Sequence, residues 1–253
     1  MKLIPLKSGS RGNAALVFAD NTKILVDCGV SGKAAEAALK SVGVEPDELS
    51  AIVVTHEHID HIGGIGVMMR RHKLPLWANM GTWRAMSTQI GKVDDSLINI
   101  FDSNTSFEIG DIEVSPFAIP HDAAEPVGYS FFGEGSKVSV ATDIGELKKD
   151  MLEAVKGSYQ VLLEANHDVN MLEIGKYPIS LKRRIRGSLG HLSNDEAATA
   201  AEILVRTGTE HIILGHLSEE NNYPHLAEQT VICALSEVGI KCGKDVSLKV
   251  ATA

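Results

Sequence analysis

Residues 53–64 read VVTHEHIDHIGG. Three histidines and an aspartate fall within six residues, directly behind an apolar run and directly ahead of two glycines. A short run of branched apolar residues is the pattern of a buried strand. Glycines after it let the backbone turn tightly. A strand that ends in such a turn brings alternate residues together, so His56 and His58 can converge on one point and Asp60 and His61 on a second point beside it. Imidazole nitrogen with carboxylate oxygen is a donor set for zinc, manganese or iron(II). The other reading is a polar loop of solvated histidines, which asks chance to place four potential ligands in six residues.

A two-metal site needs ligands from other parts of the chain. Three residues stand where apolar runs stop: His121 after FAIP, Asp143 at the end of VSVATD, and His216 at the end of IILGH. Ligands held on the ends of rigid strands keep their geometry better than ligands on free loops.

The rest of the chain supplies the strands this requires. AALVFAD (14–20) and KILVDCG (23–29) flank Asp20-Asn21, a hairpin turn. AIVVT (51–55) reads as a buried strand, FEIGDIEVSPFAIP (107–120) as a second hairpin, and VGYSFFG and KVSVATD as further strands. Residues 34–42 and 65–72 read as helices. From about residue 145 helices alternate with strands: ELKKDMLEAVKG, then YQVLLEAN, NDEAATAAEILVRTG, HIILGHL and HLAEQTVICALSEVG. This order predicts two packed sheets with helices outside. No repeat, low-complexity segment or linker divides the chain, so residues 1–253 are expected to form a single domain.

Composition bounds the function. The chain is 44% hydrophobic and 23% charged, an ordinary globular balance, and its net charge of −9 argues against a surface that coats nucleic acid while leaving room for a local basic patch. Three cysteines without paired spacing give no disulfide framework and place the protein in a reducing cytoplasm. The N-terminus has no signal-peptide core, and no stretch is long enough for a membrane span.

The order HxHxDH after a strand, a distant histidine, a strand-ending aspartate and a strand-ending histidine resembles the metallo-β-lactamase superfamily, from ILVDCG to ILGHLS. The resemblance implies an α/β fold, a four-layer αββα sandwich with two divalent metal ions at one edge: Zn2+ or Mn2+, with Fe2+ also compatible. It implies that His56, His58 and His121 hold the first ion, that Asp60, His61 and His216 hold the second, and that Asp143 bridges them. Asp27 of VDCG matches an early aspartate that supports the histidine loop. Aspartate at position 143 is similar to thioesterases, lactonases, phosphodiesterases and nucleases of the superfamily, and His58 departs from the HxExD of its oxidoreductases. SGSRGN (8–13), EANHD (164–168) and GHLSNDEA (190–197) resemble the YycJ/WalJ-like branch, assigned as 5′-to-3′ DNA exonucleases or left as hydrolases, with a more distant similarity to tRNA 3′-processing nucleases and ribonuclease J.

Other residues read as contacts to a phosphate-bearing substrate. In SGSRGN, small residues free backbone N–H groups to face an anion and Arg11 and Ser10 can join them; a plain turn is the alternative. LKRRIRG concentrates Lys182, Arg183, Arg184 and Arg186 in an acidic chain, either as a phosphate contact or as a solvated face. Ser193 with Glu196 forms a capping box that starts a helix at Asn194 and places His191 just ahead of it. The expectation is a two-metal hydrolase acting on nucleic acid, with Asp60 and His191 as catalytic residues and His167 as a further substrate contact. The alternatives are an ester, thioester or lactone hydrolase on the same metals, and a non-catalytic metal-bound scaffold or sensor. Oligomeric state is not legible.

Overall fold

The computed structural model describes residues 1–251. Its contacts resolve two compact units, residues 1–118 with 123–135, and residues 119–122 with 136–251.

The first unit is built on a six-stranded sheet of β1 (Lys2–Lys7), β2 (Ala14–Ala19), β3 (Thr22–Val26), β4 (Ala51–Val53), β5 (Leu76–Asn79) and β6 (Ile98–Phe101), in that order. β1, β2 and β3 are antiparallel, and the β2–β3 turn falls on Asp20-Asn21 with Ala19 paired to Thr22. From β3 onward the strands are parallel. β4 is AIV, buried along its length, as a central strand covered on both faces must be. Helices α1 (Gly32–Ser41), α2 (Ile59–Ile62), α3 (Ile65–His72) and α4 (Met80–Met86) make the crossovers. Ser31 caps α1 by accepting the Ala34 N–H. Leu16, Leu25, Leu39, Ile52, Ile65, Met68 and Leu76 pack into one apolar cluster. The same unit holds the antiparallel β7 (Phe107–Ile109), β8 (Ile112–Ala118) and β9 (Val127–Gly133).

The second unit carries four parallel strands, β10 (Ser136–Ala141), β11 (Gln160–Glu164), β12 (His211–Gly215) and β13 (Ser247–Val250). Parallel strands need long crossovers. These are α5 (Lys149–Val155), then α6 (Val169–Ile174), α7 (Ile179–Ile185) and α8 (Asn194–Arg206), then α9 (Pro224–Glu237). α8 opens with the expected capping box, Ser193 against Glu196 in both directions.

Parallel registry is what positions functional groups. With Ala141 beside Leu163 and Glu164 beside Gly215, the carboxyl ends of β10, β11 and β12 share one edge. Asp143, Glu164 and His216 stand there. In the first unit Val26 pairs with Val53, so Asp27 and the His56 loop leave one edge together. Carboxyl ends of parallel strands are where α/β sheets bind ligands. Asp27, Asp143 and His216 all adopt left-handed backbone, with φ of 58°, 61° and 55°. Non-glycine residues hold that conformation when their surroundings over-determine it, which is common at functional sites.

Candidate metal centre

In the first unit the backbone is woven tightly around the histidine turn. Asn13 N–H donates to Asp60 O (2.8 Å), Cys28 N–H to His61 O (2.8 Å) and Gly64 N–H to Cys28 O (2.7 Å). Gly29 is required there: a Cβ would stand 1.6 Å from Asp60 O. Asp27 is buried and ties the turn to the sheet edge. Its Oδ1 accepts Thr55 N–H (2.8 Å), and its Oδ2 accepts Thr55 Oγ1 (2.7 Å) and His61 Nδ1 (2.8 Å). Thr55 spends its hydroxyl proton on Asp27, so His56 Nδ1, 3.0 Å from Thr55 Oγ1, must be the donor to it. Both His56 and His61 therefore carry their proton on Nδ1 and present Nε2 as the basic nitrogen.

The same holds in the second unit. His121 Nδ1 donates to Gly190 O (3.1 Å), while His191 Nδ1 and His216 Nδ1 both donate to Glu164 Oε1 (2.8 Å each). Glu164 Oε2 accepts Ile144 N–H (2.7 Å) and Leu192 N–H (3.2 Å). Those four bonds fill the lone-pair capacity of a carboxylate. Although Asp143, Glu164, His191 and His216 bring ligand-type atoms within 4.8 Å of one another, Glu164 is thereby an orienting group and not a free donor. Burial alone would raise the Glu164 carboxyl; the charge and hydrogen bond of His191, and then those of His216, hold it well below the carboxylate range. Asp143 Oδ1 lies 3.4 Å from His216 Nδ1 and 3.9 Å from His121 Nε2.

This donor set fits divalent metal. Neutral imidazoles that give one N–H to a carboxylate or carbonyl and offer the other nitrogen are the usual metal-ligating histidines. His56 Nε2 and His58 Nδ1 face each other at 3.1 Å. Two nitrogens on a tetrahedral ion with bonds of ~2.0–2.1 Å stand about 3.3 Å apart. Burial lowers the His121 pKa and so favours the neutral, ligating form.

The remaining sequence candidates divide by exposure. Ser10 and Arg11 are exposed in the turn before β2, whereas Asn13 reaches the histidines, its Nδ2 lying 3.0 Å from His61 Nε2 and 3.3 Å from Asp60 Oδ2. His191 sits at the edge of the carboxylate group, half-buried. His167 is only 2% exposed, so it faces the interior, and burial lowers its pKa. Residues 181–185 of LKRRIRG lie in α7, Arg186 is its C-cap, and Arg184 parts from the other cations. Arg184 Nε is bonded to Asp122, next to His121, while Arg183 and Arg186 stay exposed. Two residues were not foreseen. Glu164 ends an apolar strand as Asp143 follows one, and that placement was the available signal. Asn13 read as part of a turn and gave none. Buried Asn166, Asn194 and Asn222 form an amide network under the loops carrying His191 and His216: Asn166 Nδ2 donates to His216 O (2.9 Å) and Asn222 Nδ2 to Asn194 Oδ1 (2.8 Å).

Comparison with known proteins agrees with this architecture. A β-lactamase superfamily domain matches residues 22–217. The metallo-β-lactamase fold protein YhfI from Bacillus subtilis superposes with a TM-score of 0.71 at 16% identity, covering 99% of this chain and 95% of that one. The fold is the α/β sandwich of that class, two mixed sheets flanked by helices. The chain is also 44% identical over 239 residues to exodeoxyribonuclease YycJ of Bacillus anthracis, covering 94% of this chain and 90% of that protein. It is 40% identical over 242 residues to exodeoxyribonuclease WalJ of Streptococcus pneumoniae, covering 95% and 90%. The chain belongs to the metallo-β-lactamase superfamily and, within it, to the family of YycJ and WalJ.

Proposed function

We propose that this protein is a two-metal phosphodiesterase that removes nucleotides from DNA in the cytoplasm, with residues 1–253 acting as one domain. The observation that carries the reading is that His56, His61, His121 and His216 have their Nδ1 protons tied to oxygen acceptors, leaving Nε2 to ligate. The choice of DNA is supported by relatives named as exodeoxyribonucleases at 44% and 40% identity over nearly the whole chain. Three free cysteines suit a reducing compartment. Among the described residues no helix is long and apolar enough to cross a membrane.

His56, His58 and His121 would hold one ion, Asp60, His61 and His216 the other, with Asp143 common to both. Such ions supply neutralising charge to a phosphate and acidity to a water. Zinc and manganese both suit this nitrogen and oxygen set.

The chain's own groups do the rest. Asp27 fixes the ring of His61 directly and that of His56 through Thr55 before substrate arrives. Asp60, on the first turn of α2, orients the attacking water with its carboxylate. Glu164 anchors His191 by Nδ1, which aims Nε2 outward. As the P–O bond to the leaving nucleotide breaks, His191, which enters the step as an imidazolium balanced by ionised Glu164, gives its Nε2 proton to the departing oxygen and is left neutral with Nδ1–H still on Glu164. Incubation of metal-loaded protein with labelled single- and double-stranded DNA and RNA, beside a small phosphodiester, a thioester and a lactone, tests the reading. DNA hydrolysis that stops on chelation is expected. Turnover of the thioester or lactone alone selects the other hydrolase class, and no turnover of any substrate by fully loaded protein selects a scaffold.

A further inference from the structure

Helix α7 is amphipathic in an unusual sense. Ile179, Lys182, Arg183 and Arg186 follow three- and four-residue spacing and share a face. With Leu172 and Glu173 of α6 they line a cavity of about 420 Å³. That is within the ~300–1,000 Å³ typical of ligand pockets. The apolar part of its lining is Leu172, which is buried, and Ile179, which is left 69% exposed. Three cations and one carboxylate surround it, in a chain of net charge −9. Lys182 Nζ donates to Glu173 O (2.7 Å), which fixes one wall, and Arg184 points away to Asp122.

The helix is also tied to the functional groups of its own unit. His191 N–H donates to Ile185 O (2.9 Å), and Asp122 N–H donates to Leu189 O (3.1 Å). The end of α7 thus leads directly to His191, and its far face grips the residue after His121.

The chemistry selects what fills the cavity. A phosphate lattice alone is served by cations and gives no use for an exposed isoleucine. Duplex DNA keeps its bases stacked inside and would leave the apolar lining of the cavity uncovered. An unpaired nucleotide offers both a ring face and a phosphate. The geometry points to a subsite for one unpaired nucleotide of a DNA strand, its base on Leu172 and Ile179 and its phosphate on Arg183 and Arg186. This rests on the reading of the protein as a DNA phosphodiesterase.

The test measures binding of a short single-stranded phosphorothioate oligonucleotide, and of the blunt duplex of the same sequence, to the full metal-loaded chain over a range of salt. R183A/R186A should weaken single-strand binding at least ~10-fold and flatten the slope of log affinity against log salt by about 1.4, at ~0.7 for each of two phosphate contacts on a single strand. R183K/R186K should restore the slope. I179S should weaken the single strand more than the duplex and leave the slope as it was. Affinities equal to wild type in R183A/R186A and I179S, with DNA still cut by wild type, overturn the subsite alone. Equal losses on duplex and single strand, with no effect of I179S, also overturn it by leaving only a phosphate contact. If wild type neither binds nor cuts DNA but hydrolyses bis(p-nitrophenyl) phosphate, the DNA reading itself falls, and the subsite with it.

Discussion

Four hydrogen bonds converge on the Glu164 carboxylate, two from histidine rings and two from backbone. Glutamine is nearly isosteric but replaces one accepting oxygen with a donor, so E164Q must break bonds on one side. Orienting groups of this kind change metal affinity or activity by ~10–100-fold. E164Q should lose within that range, read by competition with a chromophoric chelator and by rate, and a variant unchanged in both contradicts the role. H191A should keep its metal and lose ~10²–10⁴-fold in rate. A nitrophenolate leaving group, which needs little protonation, should recover part of that loss; metal lost from H191A would make His191 a ligand instead. Cys28 is buried, and burial, then the charge of Asp27, pushes its thiol up to about 12. A raised acid favours the neutral form in the folded state. Its stabilisation is therefore complete below the unfolded thiol value of ~8.5 and lost as pH climbs above that. At pH 8 a thiol reagent should label exposed Cys233 quickly and Cys28 only on unfolding; equal rates contradict the burial. The ligand-type residues were legible because histidine and aspartate at strand ends have few other uses. Glu164 was not, because a glutamate that closes an apolar strand looks the same whether it faces water or, as here, is wholly buried.

At the scale of elements, the turn carrying the histidines depends on close backbone approach. Gly29 lies against the Asp60 carbonyl, and G29A would have to push the Asp60–His61 backbone away from the sheet edge. Overpacking of this kind costs ~1–3 kcal/mol. Urea unfolding should show that loss, and the metal-dependent rise in midpoint should shrink as well, because the displaced residues are the proposed ligands. A G29A protein with wild-type stability and the same metal response would show that the turn tolerates the shift. Long periodic elements could be read from sequence: the 14–26 hairpin, α3, and α8 with its capping box all lie where pattern and caps put them. Short ones could not. α4 is MGTWRAM and α6 is VNMLEI, each under two turns, too brief for a helical period to stand out. α7 was hidden by its arginines, which read as a charge run and not as a helix that sets an isoleucine and cations on one face.

At the scale of the whole molecule, an acidic chain with a confined basic cavity suits an enzyme that grips a strand locally and does not coat it. A metal that binds the folded chain and not the unfolded one stabilises it by mass action. Chelation should therefore lower the thermal midpoint, and a midpoint that does not respond to chelation would contradict a metal centre. The most direct test of the central claim is a titration of metal-free protein with manganese or zinc, with the rate of hydrolysis of a labelled DNA strand followed against equivalents added per chain. The account predicts no hydrolysis without metal and a rate that climbs to a plateau at two equivalents. Hydrolysis without metal, a plateau at one equivalent, or no DNA cleavage at any ratio would contradict it.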